Sequence, residues 1–194
     1  MRELSLHILD ALQNSLEAGA TFVELVIEED LLADRLTITV KDNGRGMDET
    51  QLARVSDPFF TTRKTRHVGL GIPLFKAAAE RCNGHLTITS QVGKGTTLQA
   101  TFQHSHIDRA PLGNMASTLM AVILGGRCEL RYVHRLIRPA AGGSPGQVTG
   151  QEVRSFELDT ADVKAALGGV PLTHPAVRQW LQEFISEGEQ GLAS

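Results

Sequence analysis

Two periods of apolar and polar residues alternate along this chain. Between Leu4 and Ala18, the residues Leu4, Leu6, Ile8, Leu9, Ala11, Leu12 and Leu16 recur at helical spacing, and Glu17-Ala18-Gly19 supplies a stop. Phe22 to Glu28 then alternates with a period of two, and Leu36 to Lys41 does so again, which predicts two strands around an acidic turn over 29–34. A short helix is expected over 48–55 with Asp48 as its cap. Residues 57–68 read as irregular. Ile72, Leu74, Phe75, Ala78 and Ala79 predict a helix over 69–82 that tolerates Pro73 only in its first turn. His85 to Ser90 and Thr96 to Phe102 read as two more strands joined by a glycine turn. Helix, strand, strand, short helix, loop, helix, strand, strand is not a repeating βαβ order. It predicts an α+β layered domain, one mixed sheet with helices on one face.

A second region begins near Ser105. A helix is expected over 115–124, strands over 128–135 and 153–158, and a Gly/Pro/Ser-rich connection over 139–150. Asp159 or Thr160 caps a helix to Leu167, and Pro175 to Ser186 forms the last one, with residues 188–194 frayed. Tyr132, His134, Arg135 and Arg138 are expected on an exposed strand face. Val177, Trp180, Leu181, Phe184 and Ile185 are expected in a core. The division is thus 1–104 and 105–194, the second part being a small α+β appendage for dimerisation or partner docking.

Composition narrows the classes. The chain has 194 residues, room for one domain and a smaller companion, with 41% hydrophobic and 21% charged residues as in ordinary globular proteins. Its 19 basic and 22 acidic side chains leave a net charge of −3, without the basic excess of a phosphate-neutralising nucleic-acid binder. Two cysteines without CxxC spacing favour a reducing compartment, and neither a signal peptide nor a membrane span is legible, so a cytoplasmic location is expected. The mild excess is glycine, with 19 residues.

Most of the glycines before Ser105 fall in three loops placed between predicted elements: Asp42-Asn43-Gly44-Arg45-Gly46-Met47, Gly69-Leu70-Gly71 at a helix start, and Gly93-Lys94-Gly95-Thr96 in a hairpin. Glycine lets backbone approach a ligand closely, and a helix start offers free N–H groups to phosphate. Asn14 lies four residues after Asp10, on the same helical face. An amide oxygen suits Mg²⁺, and a carboxylate one turn away suits a general base.

The segment His7 to Thr21, containing Asn14-Ser15-Leu16-Glu17-Ala18-Gly19-Ala20-Thr21, resembles the N box of the superfamily that unites gyrase, the heat-shock chaperone, histidine kinases and mismatch-repair ATPases. Asp42 to Met47 resembles its G1 box, Asp57-Pro58-Phe59-Phe60-Thr61-Thr62 its F box, Gly69-Leu70-Gly71-Ile72 its G2 box, and Gly93-Lys94-Gly95-Thr96-Thr97 its closing motif. The order and spacing agree over residues 1 to 104. The F box and closing motif look most like the catalytic domain of bacterial sensor histidine kinases, and the N box leans towards mismatch repair.

The resemblance implies a two-layer α/β sandwich and a set of roles. Asn14 would bind the Mg²⁺ that bridges the ATP phosphates, and Asp42 would accept from the adenine amino group. Gly44 and Gly46, with Met47 in the same motif, would let backbone pass the base, and Thr96 would approach the adenine side. Residues 57–68 would form a lid hinged by Gly69 and Gly71, with Leu70 between them in the same nucleotide-binding motif. Lys64 and Arg66 read equally as γ-phosphate contacts and as a solvated basic loop, and His7 as a core or a site residue. A glutamate stands in the place of Asp10 in ATP-hydrolysing relatives and in anti-sigma serine kinases, so Asp10 is the candidate base, one methylene shorter. Sensor kinases carry a phosphoacceptor hairpin before this domain, and a stand-alone protein is expected here.

The function expected is therefore an ATP-dependent kinase that passes the γ-phosphoryl to a histidine or serine of a protein partner. A non-transferring nucleotide-dependent switch, anti-sigma-like or a regulatory subunit, is the alternative, and a slow ATPase stands third. A protein partner, no nucleic acid, and a homodimer through the C-terminal part complete the expectations.

Overall fold

The computed structural model describes residues 3–55, 71–126, 128–140 and 150–193. Helices α1 (Leu4–Glu17), α2 (Glu49–Arg54), α3 (Gly71–Arg81), α4 (Met115–Ile123), α5 (Thr160–Ala166) and α6 (Pro175–Ala193) are interspersed with three consecutive strand pairs, β1 (Phe22–Asp30) and β2 (Arg35–Asp42), β3 (Leu86–Gln91) and β4 (Gly95–Gln103), and β5 (Glu129–Pro139) and β6 (Gln151–Asp159). The strands form one sheet in the order β3-β4-β2-β1-β5-β6. Every pairing is antiparallel except β1 with β5, which runs parallel from Phe22 opposite Glu129 to Asp30 opposite Ile137.

The period-two pattern decides which face of the sheet is covered. Val23, Leu25 and Ile27 of β1, Leu36, Ile38 and Val40 of β2, and Leu98, Ala100 and Phe102 of β4 are all buried under the helices. Their neighbours Glu24, Glu28, Thr37, Thr39 and Gln99 stay partly open to water on the far face. This is the two-layer α+β arrangement that the pattern predicts. Leu130 and Tyr132 of β5, with Phe156 and Leu158 of β6, continue the same buried face, so the chain on both sides of residue 104 contributes to one sheet and one core. Among the described residues, no helix is long and apolar enough to cross a membrane.

Three expectations for the C-terminal part change. Tyr132 and His134 are not exposed: both lie on the helix-covered face of β5 and are buried. The Tyr132 hydroxyl donates to Glu189 of α6 at 2.8 Å. His134 stands between two carboxylates, with Nδ1 3.0 Å from Glu189 and Nε2 3.0 Å from Glu29, and Glu29 also meets His104 at 2.6 Å. Polar residues of this kind read from sequence as surface, but they can be buried where partners satisfy them. The last helix also does not fray after Ser186. It runs on to Ala193 because Glu189 is fastened in this cluster and Leu192 is buried. Gly188 allows this: a Cβ there would run into the Phe156 ring. Val177, Leu181 and Ile185 are buried as expected, whereas Trp180 and Phe184 keep 46% and 37% of their surface exposed.

His7 is buried in the seam between α1 and α3, its ring stacked on Phe75 at 5.0 Å and 7°. Among the described residues its Nδ1 has no hydrogen-bond partner. Burial, with the chain's amino terminus adding to it, holds the imidazole neutral and lowers its pKa from 6.5 to about 4. For His134, burial opposes the charge, but the hydrogen bonds and the attraction of Glu189 and Glu29 outweigh it and raise the pKa from 6.5 to about 9.

The two histidines therefore bracket stability from opposite sides. Below about pH 6.5 the unfolded chain protonates His7 before the folded one does, so stability falls as pH drops towards about 4. Above about pH 6.5 the unfolded chain loses the His134 proton first, so stability falls as pH rises through about 9. Urea unfolding across pH is expected to peak near 6.5. His134→Gln should remove the alkaline limb, and His7→Phe should flatten the acid limb.

Candidate functional site

The site is assembled at one end of the sheet, where α1, the end of β2 and the β3–β4 hairpin converge. Helix α1 has no side-chain cap at Glu3, and the chain after β4 supplies the acceptors instead: Leu4 N–H donates to Pro111 and Ser5 N–H to Leu112, at 3.0 and 2.7 Å. Buried Leu4, Ile8, Ala11 and Leu12 seat the helix, which packs against α3 on one side and α4 on the other. This turns Asp10 and Asn14, both half-buried, to one face a turn apart.

Gly71, the first residue of α3, comes up against Asp10. A Cβ there would lie 3.2 Å from the Asp10 Cβ and 3.3 Å from its Oδ2, so glycine lets the helix begin against the carboxylate. The structure thus brings Gly71 to Asp10. Lys64, Arg66, Gly69 and Leu70 lie outside the described residues, as does the expected lid.

Asp42 ends β2 with 8% of its surface exposed. Its Oδ1 accepts from the backbone N–H of Gly44 at 2.9 Å and of Thr96 at 3.2 Å, and its Oδ2 accepts from the Ser15 hydroxyl at 2.8 Å. A carboxylate offers about four acceptor positions. Among the described residues three are filled, and the one left belongs to Oδ2. A donor N–H is the group that would complete it.

The glycine loops are packed on the protein's own backbone. A Cβ at Gly44 would sit 2.9 Å from the Cβ of Ala18. At Gly46, with φ of 67°, a Cβ would run into the carbonyl of Gln91, and at Gly95, with φ of 102°, into that of Asp42. Arg45 N–H donates to Ala18 and Gly93 N–H to Arg45, tying the loop to α1 and to the hairpin. Asn43 turns away from Asp42 and accepts from the N–H groups of Thr21 and Phe22, both at 2.9 Å. Met47 N–H donates to Ser90 Oγ at 2.8 Å, and Ser90 Oγ lies 2.9 Å from Thr96 Oγ1. The Asp48–Gln51 capping box then starts α2.

Sequence reasoning missed Ser15, Asn43 and Ser90. Ser15 follows Asn14 directly, so it points about 100° away around the helix and does not share the face that Asp10 and Asn14 define. Its signal was a small hydroxyl residue on the buried side of an otherwise apolar turn.

Fold and site together define a two-layer ATPase-type module. Residues 2–106 match the family described as Histidine kinase-, DNA gyrase B-, and HSP90-like ATPase, and the chain belongs to it. Among individual proteins, it is 40% identical over 105 residues to sensor protein kinase FleS of Pseudomonas aeruginosa, a match covering 54% of this chain and 25% of that protein. It is 33% identical over 97 residues to a putative sensor protein of Shewanella frigidimarina, covering 49% and 15%. The chain therefore spans a quarter or less of these relatives' lengths. The crystal structure of the N-terminal domain of a DNA repair protein superposes over 79% of this chain and 52% of that one, with a TM-score of 0.50 and 13% identity, a likeness of fold alone.

Ser15→Ala is expected to destabilise the fold by about 1–3 kcal/mol, because the buried Asp42 carboxylate loses its only side-chain donor among the described residues. Urea unfolding near neutral pH measures it, and Ser15→Thr should restore part of the loss.

Proposed function

We propose that this chain binds ATP with Mg²⁺ in the cytoplasm and passes the γ-phosphoryl group to a side chain of a protein partner. The observation that carries the reading is the Asp42 carboxylate, held on three sides by Ser15, Gly44 and Thr96 with one acceptor position left on Oδ2. That position suits the exocyclic amine of adenine and repels the carbonyl that guanine carries there. Family membership and the likeness to sensor kinases support the same reading.

The donor set fits a hard cation: Asn14 offers an amide oxygen one turn from the Asp10 carboxylate. Asn14 would hold Mg²⁺, which when bound neutralises charge on the β- and γ-phosphates. Asp10 would take the proton from the attacking hydroxyl, imidazole or water. Gly71 at the start of α3 would bring backbone N–H groups to the phosphates. Lys64 and Arg66 are assigned to the γ-phosphate, Gly69 to the lid hinge and Leu70 to the nucleotide site beside it, on the motif alone. Gly46 and Met47 are assigned to the rim of the base pocket.

A nucleotide-dependent switch is the second reading. It is favoured by α4, which packs against α1 and α6 at once, so that a displacement of the helix bearing Asn14 would reach the C-terminal elements directly.

Asn14→Ala is expected to abolish Mg²⁺-dependent ATP binding in calorimetry, and unchanged affinity would remove Asn14 from the site. Asp10→Asn should leave binding within a few-fold of the parent while lowering turnover about 10²-fold or more. Incubation with γ-labelled ATP and candidate partners separates the readings: label on a partner supports the kinase, and tight binding without transfer or hydrolysis supports the switch.

A further inference from the structure

The β6 edge and the flank of α6 above it combine three features that point to a partner. First, β6 is the outermost strand of the sheet on the C-terminal side, so its outward N–H and C=O groups have no neighbouring strand among the described residues. Second, Trp180 and Phe184 stack on each other at 5.4 Å and 18° on the flank of α6 that meets β6, where Phe184 also lies 5.3 Å from the Phe156 ring. An exposed tryptophan–phenylalanine pair is costly on a free surface and frequent at the centre of an interface. Third, Trp180, Glu183, Phe184 and Glu187 recur at the spacing that puts them on one helical stripe, so the aromatic pair shares its face with two exposed carboxylates.

Charge selects the occupant. Residues 151–194 hold seven acidic and three basic side chains, although the whole chain carries only −3. The basic groups are largely committed: Arg154 is paired with Glu152 at 2.8 Å, and Lys164 with Glu129 at 2.6 Å. Glu157 is paired with Arg131 at 3.8 Å, and exposed Asp162, Glu183 and Glu187 outnumber exposed Arg178 and leave this end acidic. A second copy would bring the same excess against itself, and nucleic acid or an anionic lipid surface would be repelled.

We propose that the β6 edge receives an extended, basic segment of a partner protein as a seventh strand, with apolar side chains packed under Trp180 and Phe184 and lysine or arginine reaching Glu183 and Glu187. Backbone pairing supplies affinity and the acidic–aromatic stripe supplies selection. The proposal is independent of the nucleotide reading, because none of these residues belongs to the site around Asp42.

Trp180 is the only tryptophan of the chain, so its fluorescence reports this surface directly. The probe is an eight-residue peptide alternating valine with lysine, compared with one alternating valine with glutamate. The expected result is a blue shift of Trp180 emission with the lysine peptide, slowed hydrogen exchange along β6, and affinity about tenfold weaker in the Glu183→Gln/Glu187→Gln double variant and at high salt. Three outcomes would overturn the proposal: no response to the lysine peptide up to about 1 mM, an equal response to the glutamate peptide, or sedimentation showing that copies of the chain associate through this edge without peptide.

Discussion

The carboxylate of Asp42 is where the site is tied together. Three stretches of chain donate to it: α1 through Ser15, the loop directly after β2 through Gly44, and the β3–β4 hairpin through Thr96. A buried charge in this position is tolerable only when its acceptor positions are met, since an unpaired carboxylate away from water carries a penalty of several kcal/mol. The need to satisfy Asp42 therefore sets the distance between α1 and the end of β2, and it holds the hairpin against the loop. The glycines at 44, 46 and 95 permit that closeness, because each stands where a side chain would strike neighbouring protein.

Helix α1 transmits this order to the rest of the molecule. Its first turn is completed by the chain at Pro111 and Leu112, its flanks by α3 and α4, and its far end by Arg45 N–H donating to Ala18. The part of the chain after β4 is thus structural for the site as well as an addition to it. The acid–histidine cluster acts similarly at the opposite side of the core, where Glu29, His134, Tyr132 and Glu189 fasten α6 to the two parallel strands.

The element order, the two layers and the positions of Asp10, Asn14 and Asp42 were legible because local rules carry them: period two for the strands, the stripe of leucines for α1, glycine at the turns. What was not legible depends on pairing across the fold. Tyr132 and His134 look like surface residues until Glu189 and Glu29 are known to meet them. The final turns of α6 contain Gly188 and Gly191, which locally argue against a helix, and only the approach of the Phe156 ring gives Gly188 a reason. Ser15 was hidden because its partner lies 27 residues away on another element. In the same way Trp180 and Phe184 share the apolar character of Leu181 and Ile185, and the path of β6 decides which of them face inwards.

The parallel pairing of β1 with β5 also bears on how the protein is made. Strand β1 leaves the ribosome with Leu25 and Ile27 ready for the core, but the strand that occupies one of its two edges follows more than a hundred residues later. Until then that edge stands open, and contacts between such distant segments form slowly because a long loop must close first. During synthesis the nascent segment before β5 therefore presents an apolar strand with an unpaired edge, the kind of surface that chaperones hold and that aggregation exploits.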